Sequence, residues 1–245
     1  MIDSSSTSTP EIESMHRVCH ELRRPLTIIH AYSELLANGI AGPLNEGQQG
    51  HMDTILAAAE TLGSQIQSLV GLAEVDAGRF HLIEEEVDLS SVCPEQIKRF
   101  SGRVEAAKLN LEFDNQSSEL VAETDRERLY ACMEYLLDNA LKYTPEGGKI
   151  RVTQLTTDEE FHISIWNSGP TVREEEMERI FERYFRADLG SEELNAKGLG
   201  IGLTLCRANA KALGGCVRAE ASKHGGMIFH LDFPIWGQPS IHSAR

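Results

Sequence analysis

Apolar residues in the first third of the chain recur at helical spacing. Leu22, Leu26, Ile29 and Leu36 fall near heptad positions, and Ile28, Tyr32 and Leu35 widen the stripe, so residues 11 to 39 are predicted as one helix. NGIAGPLN, residues 38 to 45, carries the glycines and proline of a turn. From Glu46 a second stripe runs through Met52, Ile55, Ala59, Leu62, Ile66, Leu69 and Ala73. Two long helices joined by a short turn make an antiparallel hairpin. One hairpin cannot cover a stripe this wide, whereas two copies packed as a four-helix bundle can. A homodimer through residues 11–79 is therefore expected.

Near Asp76-Ala77-Gly78 the period changes, and a boundary is placed near residue 80. HLIEEEVDL reads as a strand, SVCPEQIKRFSGRVEAAKL as a helix, and LNLEFDN and ELVAE as short strands. A strong helix spans about Asp125 to Tyr143. GKIRVTQLTT and FHISIWN alternate as two strands, another helix starts near Leu199, and CVRAEASK and MIFHLDFP close as a strand pair. The expected architecture is a helical hairpin followed by an α+β sandwich, one sheet with helices on one face. Residues 1–10 read as a disordered leader, 11–79 as the hairpin domain, 80–236 as the sandwich and 237–245 as a tail.

Charge and cysteine usage narrow the function classes. Among 245 residues, 38 acidic against 23 basic side chains give a formal charge of −15, which repels nucleic acid and anionic lipid. No run reaches the ~20 apolar residues of a membrane span, and MIDSSSTSTPE lacks the basic start and apolar stretch of a signal peptide. Cys19, Cys93, Cys132, Cys206 and Cys216 form no paired pattern, which fits reduced thiols and a cytoplasmic setting. Cys19, beside His20, reads as a small apolar residue or as a redox-sensitive thiol.

The stretch RERLYACMEYLLDNALKYTPEGG holds two stripes. Leu129, Cys132, Met133, Leu136, Leu137, Ala140 and Leu141 form a core face. Tyr135, Asp138, Asn139 and Lys142 share a second face, which is either an ordinary solvated surface or an amide oxygen and an ammonium set to hold Mg²⁺ and phosphate. Downstream, WNSGPTV ends a strand in a Gly-Pro turn where backbone can approach a flat ligand. KGLGIGL leads into a helix whose free N–H groups suit phosphate. IFERYFR between them sets Arg183 and Arg186 in otherwise acidic surroundings. The glycine triplet does not fit the dinucleotide fingerprint, because no strand leads straight into it.

These segments resemble, in order, the boxes of the sensor histidine kinases of two-component signalling. HELRRPL is similar to the phosphoacceptor box, DNALKYTP to the N box, NSGP to the first glycine box, IFERYFR to the F box and GLGIGL to the second glycine box. HGGMIFHLDFP resembles the family's closing strand. The resemblance implies a dimerisation and phosphotransfer hairpin followed by an ATP-binding domain of the GHKL (Bergerat) type, shared with gyrase and the mismatch-repair ATPases. It implies that His20 takes the γ-phosphoryl group of ATP, and that Glu21 draws the proton from the imidazole so that the other nitrogen attacks. It further implies Asn139 as Mg²⁺ ligand, Lys142 as phosphate contact and Asn167 as partner of the adenine amino group. Gly169 would let the backbone pass the base. Gly198, Gly200 and Gly202 would form the ATP lid, and Arg183 and Arg186 would steady the phosphates. Tyr143, Lys197, Leu199 and Leu203 would join the same site. The implied partner is a response-regulator receiver domain, which takes the phosphate on an aspartate.

Pro25 cannot donate to the carbonyl of Glu21, so the helix is expected to loosen beside His20. A metal clip by His16 and His20 lacks a third ligand. The chain departs from the family in four places. Arg24 stands where Thr or Asn usually positions water, which predicts weak phosphatase activity. Asn167 replaces an Asp, so adenine loses a charged acceptor. Thr171 replaces a glycine and stiffens that turn. Tyr135 stands where related ATPases place a water-activating Glu, which disfavours a bare ATPase. The rival class is a dimeric scaffold that binds a receiver through a degenerate nucleotide pocket. With no receiver after residue 234 and no sensor before residue 11, the chain reads as a soluble kinase served by another protein, or as part of a longer sensor.

Overall fold

The computed structural model describes residues 9–78, 82–117, 120–157, 160–190 and 198–235, with backbone alone for 9–16. The chain divides into two compact units on either side of residue 80. In the first, α1 (Thr9–Ala37) and α2 (Glu46–Asp76) form the hairpin. The start of α1 takes in Thr9 and Pro10, so the helix reaches into the expected leader; residues 1–8 of that leader lie outside the described residues. Proline suits a first helical turn, where its missing N–H has no intrahelical partner. Asn45 starts α2 with a capping box: its side chain accepts from the Gln48 N–H at 2.9 Å, and Gln48 Oε1 accepts from the Asn45 N–H at 3.0 Å.

Cys19, Leu26, Ala59 and Ile66 form the hairpin's small core, with Leu69 and Val70 against it. Leu26 packs so closely that a Cβ added at Gly63 would lie 3.5 Å from its Cδ2. Leu22, Ile29, Leu36, Ile55 and Leu62, which belong to the same sequence stripes, remain exposed in the single chain. The helix does not break at Pro25; α1 runs through it.

The second unit opens with β1 (Glu85–Asp88) and α3 (Leu89–Ala106), followed by β2 (Asn110–Asn115), β3 (Val121–Thr124) and α4 (Arg126–Tyr143). After these come β4 (Lys149–Thr156), β5 (Glu160–Asn167), two short 3-10 turns, α5 (Gly202–Ala212), β6 (Cys216–Ala221) and β7 (Met227–Pro234). The expected single sheet is instead two. β1 and β3 form an antiparallel ribbon, and the main sheet has the order β2-β4-β5-β7-β6, with β2 parallel to β4 and the rest antiparallel. Only one side of each central strand is buried: Ile150 and Val152 on β4, Phe161, Ile163 and Ile165 on β5, and Phe229 and Leu231 on β7. That side joins one core with Leu129, Met133, Leu136 and Leu137 of α4, Val92 and Phe100 of α3, and Cys206 and Ala210 of α5.

Two devices fix the helices on the sheet. Asp88 and Asp125 cap α3 and α4 by accepting N–H bonds from Ser90 and Arg128. Pro94 cannot donate to the carbonyl of Ser90, and the buried Gln154 of β4 replaces that donor at 3.4 Å while accepting from the Cys93 N–H at 3.3 Å. A buried amide in an apolar sheet is thereby satisfied by the gap a proline leaves. Among the described residues no helix is long and apolar enough to cross a membrane.

Candidate functional site

The polar stripe of α4 lies beside its buried stripe, as the spacing requires. At its centre Asp138 binds Lys142 one turn on, and accepts from Arg103 Nη2 of α3 at 2.6 Å. Burial works against the Asp138 charge, but Lys142 and Arg103 outweigh it and hold the carboxyl below its ordinary range. Asn139 is half-buried and its side chain makes no hydrogen bond among the described residues, so its amide oxygen is available to a ligand. Such an oxygen fits Mg²⁺, which keeps several waters and completes its shell with substrate phosphates. No group of three or more His, Cys, Asp or Glu side chains among the described residues could hold a metal by itself.

The glycine segment closes on this face. A Cβ added at Gly198 would lie 3.8 Å from Lys142 Nζ, and one at Gly202 would lie 3.6 Å from Tyr135 Cδ1. Gly198 and Gly200 have φ of +83° and +71°, so the chain cannot be helical there, and α5 begins at Gly202 rather than near Leu199. No side chain caps α5, whose first N–H groups keep the partial positive charge that suits an anion. Gly200 is held by the turn before it: its carbonyl accepts from the Tyr184 N–H at 2.9 Å, and a Cβ would press to 2.7 Å from the Phe185 carbonyl oxygen. Phe181 is buried and anchors this turn, with Thr204 Oγ1 donating to its carbonyl at 2.9 Å. Leu199 is exposed and Leu203 partly so. Lys197 lies outside the described residues.

At the C-terminal end of α4, beside Thr144, Asn167 closes β5. Asn167 is 3% exposed, and its Nδ2 donates to Thr144 Oγ1 at 3.3 Å. A Cβ added at Gly169 would collide with the Tyr143 carbonyl oxygen and come to 2.6 Å from Asn167 Nδ2, so the chain itself already requires a glycine there. Gly226, at φ +82°, is equally constrained, because a Cβ there would strike the Asn167 carbonyl oxygen. Tyr143 has its hydroxyl pKa raised by burial, with the Arg186 charge acting the other way. Arg186 is thus close to the α4 terminus, while Arg183 is exposed on the same turn.

The second unit therefore gathers Asn139, Lys142, Tyr143, Asn167, Gly169, Arg186, Gly198, Gly200 and Gly202 around one end of α4. Sequence reasoning missed Thr144 and Gly226, whose roles depend on pairing between β5, β7 and the turn after α4. On the hairpin, His20 and Glu21 are exposed on α1 next to the buried Cys19, which sits as a packed apolar residue. Arg23 donates to Gln67 across the hairpin, and Arg24 is exposed.

Residues 13–78 match the His Kinase A (phospho-acceptor) domain family, and residues 124–236 match the histidine kinase-, DNA gyrase B- and HSP90-like ATPase family. Among curated relatives, the adaptive-response sensory kinase SasA of Synechococcus sp. (strain JA-3-3Ab) is 29% identical over 219 residues, covering 89% of this chain and 57% of that protein. The chain spans about half the length of the curated relatives it matches. Full-length ShkA in complex with AMPPNP shares the fold with a TM-score of 0.70 at 23% identity, over 91% of this chain and 46% of that one. The histidine kinase ThkA in complex with the response regulator protein TrrA gives a TM-score of 0.61 at 24% identity, over 91% of this chain and 61% of that one.

Proposed function

Because the chain belongs to the sensor histidine kinase family, we propose that it moves the γ-phosphoryl group of ATP to His20 and from there to an aspartate of a receiver domain. The observation that carries this reading is the face formed by Asn139 and Lys142, with Gly198 beside the lysine and the uncapped start of α5 next to it. An ammonium, an amide oxygen and free helix N–H groups converge there, and each suits a polyphosphate.

The residues divide the work as follows. Asn167 Oδ1 accepts from the adenine amino group. Lys142, Arg183, Arg186 and Lys197 offset phosphate charge, and Lys142 exchanges part of its bond to Asp138 for a phosphate oxygen. Gly198, Gly200 and Gly202 give the lid its backbone freedom, while Tyr143, Leu199 and Leu203 cover the nucleotide. When bound, Mg²⁺ spreads the charge of the phosphate oxygens, and Asn139 supplies one oxygen to it. Glu21 holds the proton of one imidazole nitrogen of His20, which leaves the other nitrogen's lone pair free to attack. Tyr135 has no carboxylate to activate water, which favours transfer over hydrolysis.

Residues 11–79 act as the phosphotransfer domain and 80–236 as the catalytic domain. The exposed Leu22, Ile29, Leu36, Ile55 and Leu62 become the core of a homodimer. ShkA binds AMPPNP and ThkA binds a response regulator, and those partners support ATP and a receiver domain here. The acidic charge and the free thiols suit a cytoplasmic kinase that does not bind nucleic acid. Labelled ATP with Mg²⁺ tests the reading. Acid-labile, base-stable label that disappears in His20→Ala supports it. Receiver binding with no label transfer would favour the non-catalytic scaffold instead.

A further inference from the structure

We infer that Thr144 is a positioning residue that fixes base selectivity by locking the orientation of the Asn167 amide. This inference rests on the reading of Asn167 as the contact to the base. An asparagine can present either a donor or an acceptor, so an amide at this position could read a 6-amino or a 6-oxo purine equally well. The side chain of Thr144 removes that freedom. Thr144 is 7% exposed, and its Oγ1 donates to the Ala140 carbonyl at 2.6 Å, which commits its only proton. The same oxygen can then only accept, and it does so from Asn167 Nδ2 at 3.3 Å. Turning the amide over would set Asn167 Oδ1 against this oxygen, which then either faces it as a second acceptor or gives up its 2.6 Å bond to the Ala140 carbonyl in order to donate. Either way a bond of the relay is lost in a buried place, and Nδ2 loses its partner.

Asn167 Oδ1 consequently has no hydrogen-bond partner among the described residues and points away from Thr144 as a fixed acceptor. A 6-amino group meets it with a hydrogen. A 6-oxo group meets it with a lone pair and leaves both oxygens unpaired. The relay Ala140–Thr144–Asn167 thus gives a neutral amide the acceptor-only character of a carboxylate. Replacing Thr144 by valine should release it at little cost to the helix end. The Thr144 backbone N–H also donates to the Ala140 carbonyl at 3.0 Å, so valine leaves that oxygen paired.

The test compares ATP and inosine triphosphate, which lacks the 6-amino group and adds no 2-amino group. Dissociation constants are measured by titration calorimetry on the whole chain with Mg²⁺, for wild type, Thr144→Val and Thr144→Ser. Wild type should prefer ATP by ~5-fold or more, since that is about the least a buried unpaired acceptor costs. Thr144→Val should bring the ratio close to one, mainly by tightening the inosine nucleotide, and Thr144→Ser should restore it. In the Asn167→Asp background the ratio should no longer respond to Thr144→Val, because a carboxylate has no donor to turn outward. If valine costs the fold, judged by circular dichroism, Thr144→Ala removes the same hydroxyl and replaces it in the comparison. An unchanged ratio in the variant without the hydroxyl overturns the inference while ATP binding stands. Equal wild-type affinity for the two nucleotides overturns it as well. No binding of either nucleotide by wild type overturns the ATP reading itself, and this inference with it.

Discussion

Replacing Asp138 by asparagine probes the charge balance of the α4 face. The Asp138 side chain is 22% exposed and carries Lys142 on one oxygen and Arg103 on the other, at 2.6 Å for the arginine. A hydrogen bond to a charged group contributes about 1.5–3 kcal/mol. Lys142 is 39% and Arg103 50% exposed, so water screens both and moves the value to the low end. Asparagine keeps the shape and one acceptor, which puts the expected loss of stability at about 1–2 kcal/mol at neutral pH. Urea unfolding followed by tryptophan fluorescence measures it, with Trp166 on β5 reporting the second unit. The pH dependence has a definite sign. The folded-state pKa of Asp138 lies below its unfolded value, so the stabilisation is complete above the ordinary carboxylate range and is lost as pH falls through the folded pKa. The gap between wild type and Asp138→Asn should stay level from about pH 5 to 8 and close in acid. Equal unfolding midpoints at pH 7, or a gap that does not shrink on acidification, would refute the assignment.

Gly226→Ala should cost about 1–3 kcal/mol of stability and weaken ATP binding, because the added Cβ strikes the Asn167 carbonyl at a positive φ; calorimetry against the wild type reads both. Ile29→Glu, on a residue 49% exposed in one chain, should convert a species of twice the chain mass to one of single mass in sedimentation equilibrium; no change would remove α1 from the dimer interface. Arg24→Thr should strip phosphate from a phosphorylated receiver faster than wild type, since threonine can accept from and orient water while a guanidinium only donates. A faster wild type would contradict that role for Arg24.

The parts of the fold that were legible in the sequence are those carried by local pattern. The two α4 stripes, the hairpin turn before Asn45 and the alternation of β4 and β5 all repeat within a few residues, and the structure contains each of them. The start of α5 was misplaced by three residues because helical spacing cannot report that Gly198 and Gly200 take positive φ. The separation of β1 and β3 into their own ribbon, and the parallel entry of β2 beside β4, depend on chain crossovers that leave no local trace. The apolar stripe of α1 was visible, yet Leu22 and Ile29 are exposed in one chain, as a stripe too wide for one hairpin requires. Within the candidate site, the glycine boxes were legible as motifs, but the contacts that the chain makes with its own glycines were not. Gly169 and Gly226 make room for the chain's own carbonyls, contacts that exist only once β5 and β7 pair. Thr144 escaped notice for the same reason, since a hydroxyl after a helix reads as an ordinary terminus until its partner Asn167, 23 residues on, is brought beside it.

The central claim is that His20 carries the phosphoryl group, and phosphorus spectroscopy on the protein after incubation with Mg²⁺ and ATP tests it most directly. A phosphoramidate resonance is expected that is retained in base, lost in acid, and absent from His20→Ala although that variant still binds ATP. A protein that binds ATP but shows no phosphoramidate, or one whose resonance survives in His20→Ala, would contradict it.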